Sequence, residues 1–161
     1  MLGFLGSDEK CALLKSDFGY DEVINYKTST DLPQAIAAAC PKAVDIYYDN
    51  VGGAISDAVI GNINFHARVV LCGQIALDNS TDIPMGPRLQ PMILTRSVCM
   101  QGFIVVNYQS QFNEGRKQLG LWVKEGKLTY KETIVKGFDQ LPVALLGLFA
   151  GENIGKMIVA L

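Results

Sequence analysis

Asp45-Ile46-Tyr47-Tyr48-Asp49-Asn50-Val51-Gly52-Gly53 is the stretch on which the fold turns. It reads as a buried strand that stops at an Asn and then two glycines. In an open α/β sheet, ligands bind just beyond the carboxyl ends of the strands. Two glycines at such a tip let the backbone pass close to a flat ligand with no side chain in the way. Similar boundaries occur at Leu5-Gly6-Ser7-Asp8-Glu9-Lys10 and at Val70-Leu71-Cys72-Gly73-Gln74. Three strand tips ending in small or amide residues describe one side of a nucleotide crevice. No Gly-x-Gly-x-x-Gly phosphate turn occurs in the 161 residues, so the sequence reads as beginning after it.

Outward from these tips, strands and helices alternate. Leu2 to Leu5 is a short apolar strand. Ser7 is placed to cap a helix over Asp8 to Phe18, and Gly19 to close it. Asp21 to Tyr26 reads as a strand, Asp31 to Cys40 as an Ala-rich helix stopped by Pro41, and Ala43 to Asp49 as the strand quoted above. Ala54 to Ile63 is a helix, and Ala67 to Cys72 a strand apolar enough to be buried on both faces. Asp78 to Pro91 holds three of the six prolines and reads as a long loop. A short helix around Met92 to Arg96, a strand Val98 to Val106 and an amphipathic helix Gln111 to Lys124 follow. Thr129 to Val135 alternates as a strand. Leu141, Ala144, Leu145, Leu148 and Phe149 share one helical face. Gly155 to Leu161 is a last strand. This alternation predicts an α/β fold with a mostly parallel sheet and helices on both faces.

Composition bounds the function. An apolar fraction of 49% and a charged fraction of 19% fit a globular domain with a real core. A net charge of −2 gives no electrostatic grip on nucleic acid or an anionic membrane. No apolar run approaches the roughly 20 residues that span a bilayer. Cys11, Cys40, Cys72 and Cys99 are spread along the chain without a Cys-x-x-Cys pair, so neither a disulfide framework nor a metal site is expected. A reducing cytoplasm is the expected location. His66, the only histidine, follows Phe65 at a strand start and reads as a turn or surface residue.

Five segments, read together, resemble one family. They are Gly6-Ser7-Asp8-Glu9-Lys10, Val23-Ile24-Asn25-Tyr26-Lys27, Asp49-Asn50-Val51-Gly52-Gly53, Leu71-Cys72-Gly73-Gln74-Ile75 and Gly151-Glu152-Asn153-Ile154-Gly155-Lys156. In order and at suitable spacing, they resemble the zinc-independent medium-chain dehydrogenase/reductases of the prostaglandin reductase, leukotriene B4 dehydrogenase and curcumin reductase branch. Lys124-Glu125-Gly126-Lys127-Leu128 followed by Lys131-Glu132 adds to the match. The resemblance implies an incomplete Rossmann-type, doubly wound sheet plus a C-terminal return segment. Residues 1–125 would form a partial NADP-binding domain without its first strand-turn-helix. Residues 126–161 would return to a catalytic domain outside this sequence. In the strand order 3-2-1-4-5-6 the first strand is central, so its absence would leave a slot in the sheet, with inner edges open to aggregation.

The tip at Gly6 and Ser7 lacks the acidic residue that holds ribose hydroxyls in NAD-specific folds. A small residue there, with Lys10 one turn on, suits a 2′-phosphate; the alternative is a solvated helix lysine. The resemblance implies the phosphate role, with Tyr26 beside it. Asn50 is either a cofactor ligand or an ordinary turn Asn. By resemblance, Cys72, Gly73, Gln74, Ile75, Ala76, Leu77 and Asp78 run along the nicotinamide. Phe103, Ile104 and Val105 offer backbone contacts at the next tip, and Asn153 reaches the cofactor from the return segment. The family often carries a Tyr where Asp78 stands, followed here by Asn79, so the substrate contacts differ. No catalytic acid or base can be named.

The resemblance therefore implies an NADPH-dependent oxidoreductase that reduces activated C=C bonds of a small-molecule enone. A quinone reductase or alcohol dehydrogenase of the same superfamily is the second reading. A catalytically silent nucleotide-binding or interaction fragment is the third. The strand Val98 to Val106 is too apolar to face water as an edge. In the resembling family it pairs with its own copy, implying a homodimer.

Overall fold

The computed structural model describes residues 1–78, 80–82 and 84–161. Its strands form three parallel groups. β1 (Leu2–Leu5) pairs with β2 (Glu22–Asn25), with Leu2 opposite Glu22 and Leu5 opposite Asn25. β3 (Val44–Asp49), β4 (Ile63–Leu71) and β5 (Cys99–Gly102) make a three-stranded sheet in that order. β6 (Glu132–Lys136) pairs with β7 (Lys156–Ala160).

Helices connect the parallel strands. α1 (Asp8–Phe18) starts where the Ser7 hydroxyl accepts the Lys10 N–H at 3.3 Å and ends at Gly19, whose φ of 69° lies in the left-handed region. α2 (Leu32–Ala39) is capped by the Asp31 carboxylate on the Gln34 N–H at 2.9 Å, and Pro33 sits in its first turn, where no N–H is needed. α3 (Gly53–Gly61) buries Ile55, Ala58, Val59 and Ile60. α4 (Gln90–Arg96), α5 (Phe112–Lys124) and α6 (Leu141–Ala150) follow. The core joins Ile36 of α2, Tyr47 of β3, Ile55, Ala58 and Val59 of α3, and Ile63, Ala67 and Val69 of β4, with Leu2, Phe4 and Ile24 packed against it. Each fully buried aliphatic side chain contributes about 1.5–3 kcal/mol.

The strand expected from Thr129 starts at Glu132, and the helix expected to Ile63 ends at Gly61, where Ile63 already opens β4; two further elements differ more. The strand expected over Val98 to Val106 pairs only over Cys99–Gly102, and Val105–Gln111 turns into 3₁₀ helix. The reason is its partner. Gly102 lies opposite Leu71, the last residue of β4, and the Phe103 N–H on the Leu71 carbonyl at 3.1 Å closes the ladder. The Asn107 carboxamide then takes the Ile104 N–H at 3.0 Å and bends the chain.

β4 is longer than the expected Ala67 to Cys72 and is buried on one face, not both. Ile63, Ala67 and Val69 are buried while Phe65, His66 and Arg68 are exposed. The register slips between Val44 opposite Ile63 and Ile46 opposite Arg68. His66 lies in that slip with φ 59° and is exposed, matching its reading as a turn or surface residue. The Asn64 carboxamide fastens the slip to the Lys42 carbonyl at 3.1 Å and the Asp45 carboxylate at 2.9 Å.

β1 and β3 face each other across a cleft of about 800 Å³, which keeps the first two sheets apart. The β6–β7 pair lies beyond them, and α6 packs on β7. Lys131 forms an ion pair with Asp17 of α1 at 2.5 Å, and the Lys10 ammonium donates to the Gly151 carbonyl at 2.5 Å.

Candidate cofactor site

The carboxyl end of β3 is organised by a residue that the sequence reading passed over as part of the strand. Asp49 is buried, and its carboxylate accepts the backbone N–H groups of Val51 at 3.1 Å and Gly52 at 2.9 Å. Its own carbonyl accepts the N–H groups of Cys72 at 2.7 Å and Gly73 at 3.2 Å. One residue thus folds the tip of β3 and ties it to the tip of β4. The signal was available: an Asp at a strand end followed by Asn and Gly is the pattern of a side chain that binds the backbone two residues on. Burial, and then the Asp49 carboxylate, push the Tyr47 phenol well above its ordinary pKa.

The glycines at this tip are needed where they stand. Gly52 and Gly53 have φ of 73° and 63°. A Cβ on Gly73 would lie 2.8 Å from the Asn50 side-chain oxygen, and one on Gly52 would touch Gln74 at 3.4 Å. The Ala76 N–H bonds the Val51 carbonyl at 2.9 Å, and Ile75–Leu77 form a 3₁₀ turn that Asp78 ends. Asn50, Cys72, Gly73, Gln74, Ile75, Ala76, Leu77 and Asp78 are therefore linked along two adjacent strand tips. Cys72 sits beside Tyr48, and this contact raises the Tyr48 phenol pKa. Phe103 joins the group through Leu71 and packs edge-on against Tyr108, ring centres 5.9 Å apart. Ile104 and Val105 follow it on the surface. Asn79 lies outside the described residues.

A second group forms at the tip of β1. A Cβ on Gly6 would lie 3.0 Å from the Tyr26 hydroxyl and 3.0 Å from Lys27 Cε, so Gly6, Tyr26 and Lys27 are in contact. Lys10 turns from α1 to the Gly151 carbonyl, which brings the return segment alongside. The Asn153 carboxamide is held by the Gly155 carbonyl at 2.6 Å. Lys27 and Gly151 were not among the residues expected here.

Among the described residues no three His, Cys, Asp or Glu side chains come together as metal ligands. The four cysteines are free.

Comparisons with known proteins identify the family. Residues 2–119 match the family model described as zinc-binding dehydrogenase. The chain is 50% identical over 161 residues to the YfmJ protein of Bacillus subtilis (strain 168), covering 99% of this chain and 48% of that one. It is 39% identical over 160 residues to prostaglandin reductase 1 of Sus scrofa, again 99% and 48% of the two chains. The crystal structure of CurA from Vibrio vulnificus in complex with NADPH superposes with a TM-score of 0.90 at 37% identity, over 99% of this chain and 48% of that one. The chain spans about half the length of the curated relatives it matches. The match over residues 2–119, with the fold, places this chain in the zinc-binding dehydrogenase family.

Proposed function

We propose that these residues are part of an NADPH-dependent oxidoreductase that reduces activated C=C bonds of enones by hydride transfer. The observation that carries this reading is the cradle of Asn50–Gly53 against Gly73–Leu77, where a Cβ on Gly73 would strike Asn50. Backbone and small side chains at adjacent strand tips leave room for a flat dinucleotide. Relatives named prostaglandin reductase and NADPH-dependent curcumin reductase support the substrate class and the cofactor.

In this reading Asn50 orients the cofactor at the β3 tip, while Cys72, Gly73, Gln74, Ile75, Ala76, Leu77 and Asp78 line the nicotinamide side. Phe103, Ile104 and Val105 bound the next tip, and Asn153 closes from the return segment. Lys10 takes the 2′-phosphate beside Tyr26, leaving the Gly151 carbonyl to do so. When bound, the reduced nicotinamide supplies a hydride for the β-carbon of the enone. The chain's part is to position the ring and keep water away.

Residues 1–125 act as a partial NADP-binding Rossmann domain and 126–161 as the return segment. The separate β6–β7 sheet and a family match that ends at 119 support the division. Zinc plays no part in this reading. A reducing cytoplasm suits the four free cysteines. A homodimer forms across the open edge of β5 and the exposed Ile104–Val106.

The test is turnover. The intact protein should consume NADPH when given an enone and release the saturated ketone. Consumption with a quinone alone would replace this reading with that of a quinone reductase.

A further inference from the structure

Gly6, just past the end of β1, does not have the left-handed φ that calls for a glycine. What its missing side chain supplies is room. A Cβ there would lie 3.0 Å from the Tyr26 hydroxyl and 3.0 Å from Lys27 Cε, so both side chains meet over the β1 tip. The turn that carries them is fixed. The Tyr26 N–H donates to the Leu5 carbonyl at 3.0 Å, and the Asn25 carbonyl accepts the N–H groups of Thr28 at 3.3 Å and Ser29 at 3.0 Å. The Asn25 side-chain oxygen accepts the Lys27 N–H at 3.1 Å, while its amide nitrogen donates to the Asp8 carboxylate at 2.6 Å. Asp8, at the start of α1, thus serves the turn. No carboxylate pairs with the Lys27 ammonium among the described residues.

We propose that Lys27 is a second cation of the 2′-phosphate site and, with Lys10, sets a preference for NADPH over NADH. A phosphate monoester carries a charge of about −1.5 to −2 at neutral pH, more than one ammonium offsets. Lys10 stands in the first turn of α1 and Lys27 in the turn after β2, so the two lysines flank the β1 tip from different elements. The gap at Gly6 lets a phosphate oxygen approach the backbone, and the Tyr26 hydroxyl at its rim is a donor. A lysine ammonium is a compact charge with three rotatable donors on a flexible stem. Lys27 can therefore swing from Gly6 onto the phosphate while its turn stays in place. NADH has a hydroxyl at that position and gains nothing from the charge. The proposal rests on the cofactor reading above and is independent of the enone chemistry.

The test uses the intact protein and titration calorimetry with NADPH and NADH. Lys27→Met keeps most of the apolar stem and removes the charge. It should weaken NADPH by about tenfold or more and NADH by less than about twofold. Raising salt from about 50 mM to about 200 mM should then weaken NADPH less in Lys27→Met than in the parent, because one screened attraction is gone. A parent that prefers NADPH, with that preference intact in Lys27→Met, would overturn the role of Lys27 and leave the cofactor reading standing. Equal losses for the two cofactors, or a salt dependence unchanged from the parent's, would also overturn it. A parent with no preference for NADPH would overturn both.

Discussion

Lys10 shows what one side chain can be asked to do. It starts in the first turn of α1, where Ser7 holds its N–H, and its ammonium reaches the Gly151 carbonyl. An ammonium that settles on a neutral carbonyl is free to exchange it for a phosphate, because charge-assisted pairs are roughly twice as strong. In the intact protein, Lys10→Ala should weaken NADPH by roughly 1.5–3 kcal/mol and NADH by far less. Titration calorimetry with both cofactors checks this, and equal losses would remove Lys10 from the 2′-phosphate. Gly155 is a second residue whose identity is dictated. Its φ is 75°, and a Cβ there would strike the Lys131 carbonyl oxygen, at the start of the β6–β7 pair. Gly155→Ala should destabilise the fold by about 3 kcal/mol or more, since left-handed strain adds to a backbone clash. Urea midpoints of the two proteins measure it. The turn positions of Asn50 and Gly73 were legible because strand-end amides and glycines carry their reason in the sequence. Asp49 was not, because an Asp inside an apolar run shows its backbone partners only once the turn is folded.

Elements were legible where they carry their own stops. α1 has Ser7 before it and Gly19 after it, and its expected bounds match those observed. β5 had no such stop. Its apolar run continues to Val106, but the ladder ends with β4, and a partner's length cannot be read from the strand itself. The slip in β4 was hidden for the same reason, since nothing in Phe65-His66-Ala67 announces a positive φ at a histidine. The open edge of β5 and its exposed continuation support a two-fold contact. Ile104→Lys should convert the intact protein from dimer to monomer in sedimentation at micromolar concentration. Unchanged sedimentation would move the contact elsewhere. At the other end, the Lys131 hydrogen bond, followed by Ser16, holds the Asp17 carboxyl below the usual carboxylate range. A lowered folded pKa adds stability above the unfolded value of about 4, and that stability disappears as pH falls through the folded value. Asp17→Asn should therefore lie below the parent in denaturation midpoint at neutral pH and converge with it near pH 2. Parallel curves would mean that the ion pair does not link the return segment to α1.

For the whole molecule, the alternation of strands and helices was readable because period and punctuation agree along most of the chain. What alternation could not specify was which strands meet. Two sheets that a single central strand would join stand apart across an 800 Å³ cleft. α6 leaves Val143, Leu146 and Phe149 exposed while burying only Ala144 and Gly147. Both features fit a chain that spans about half the length of its relatives. The proposed activity is hydride delivery from a nicotinamide at the strand tips to the β-carbon of an enone. The most direct test gives the intact protein NADPH deuterated at the transferring position together with an enone, and locates the label by NMR of the product. Deuterium on the β-carbon of a saturated ketone is the predicted result. Deuterium on the carbinol carbon of an unsaturated alcohol, or none in any product, would contradict it.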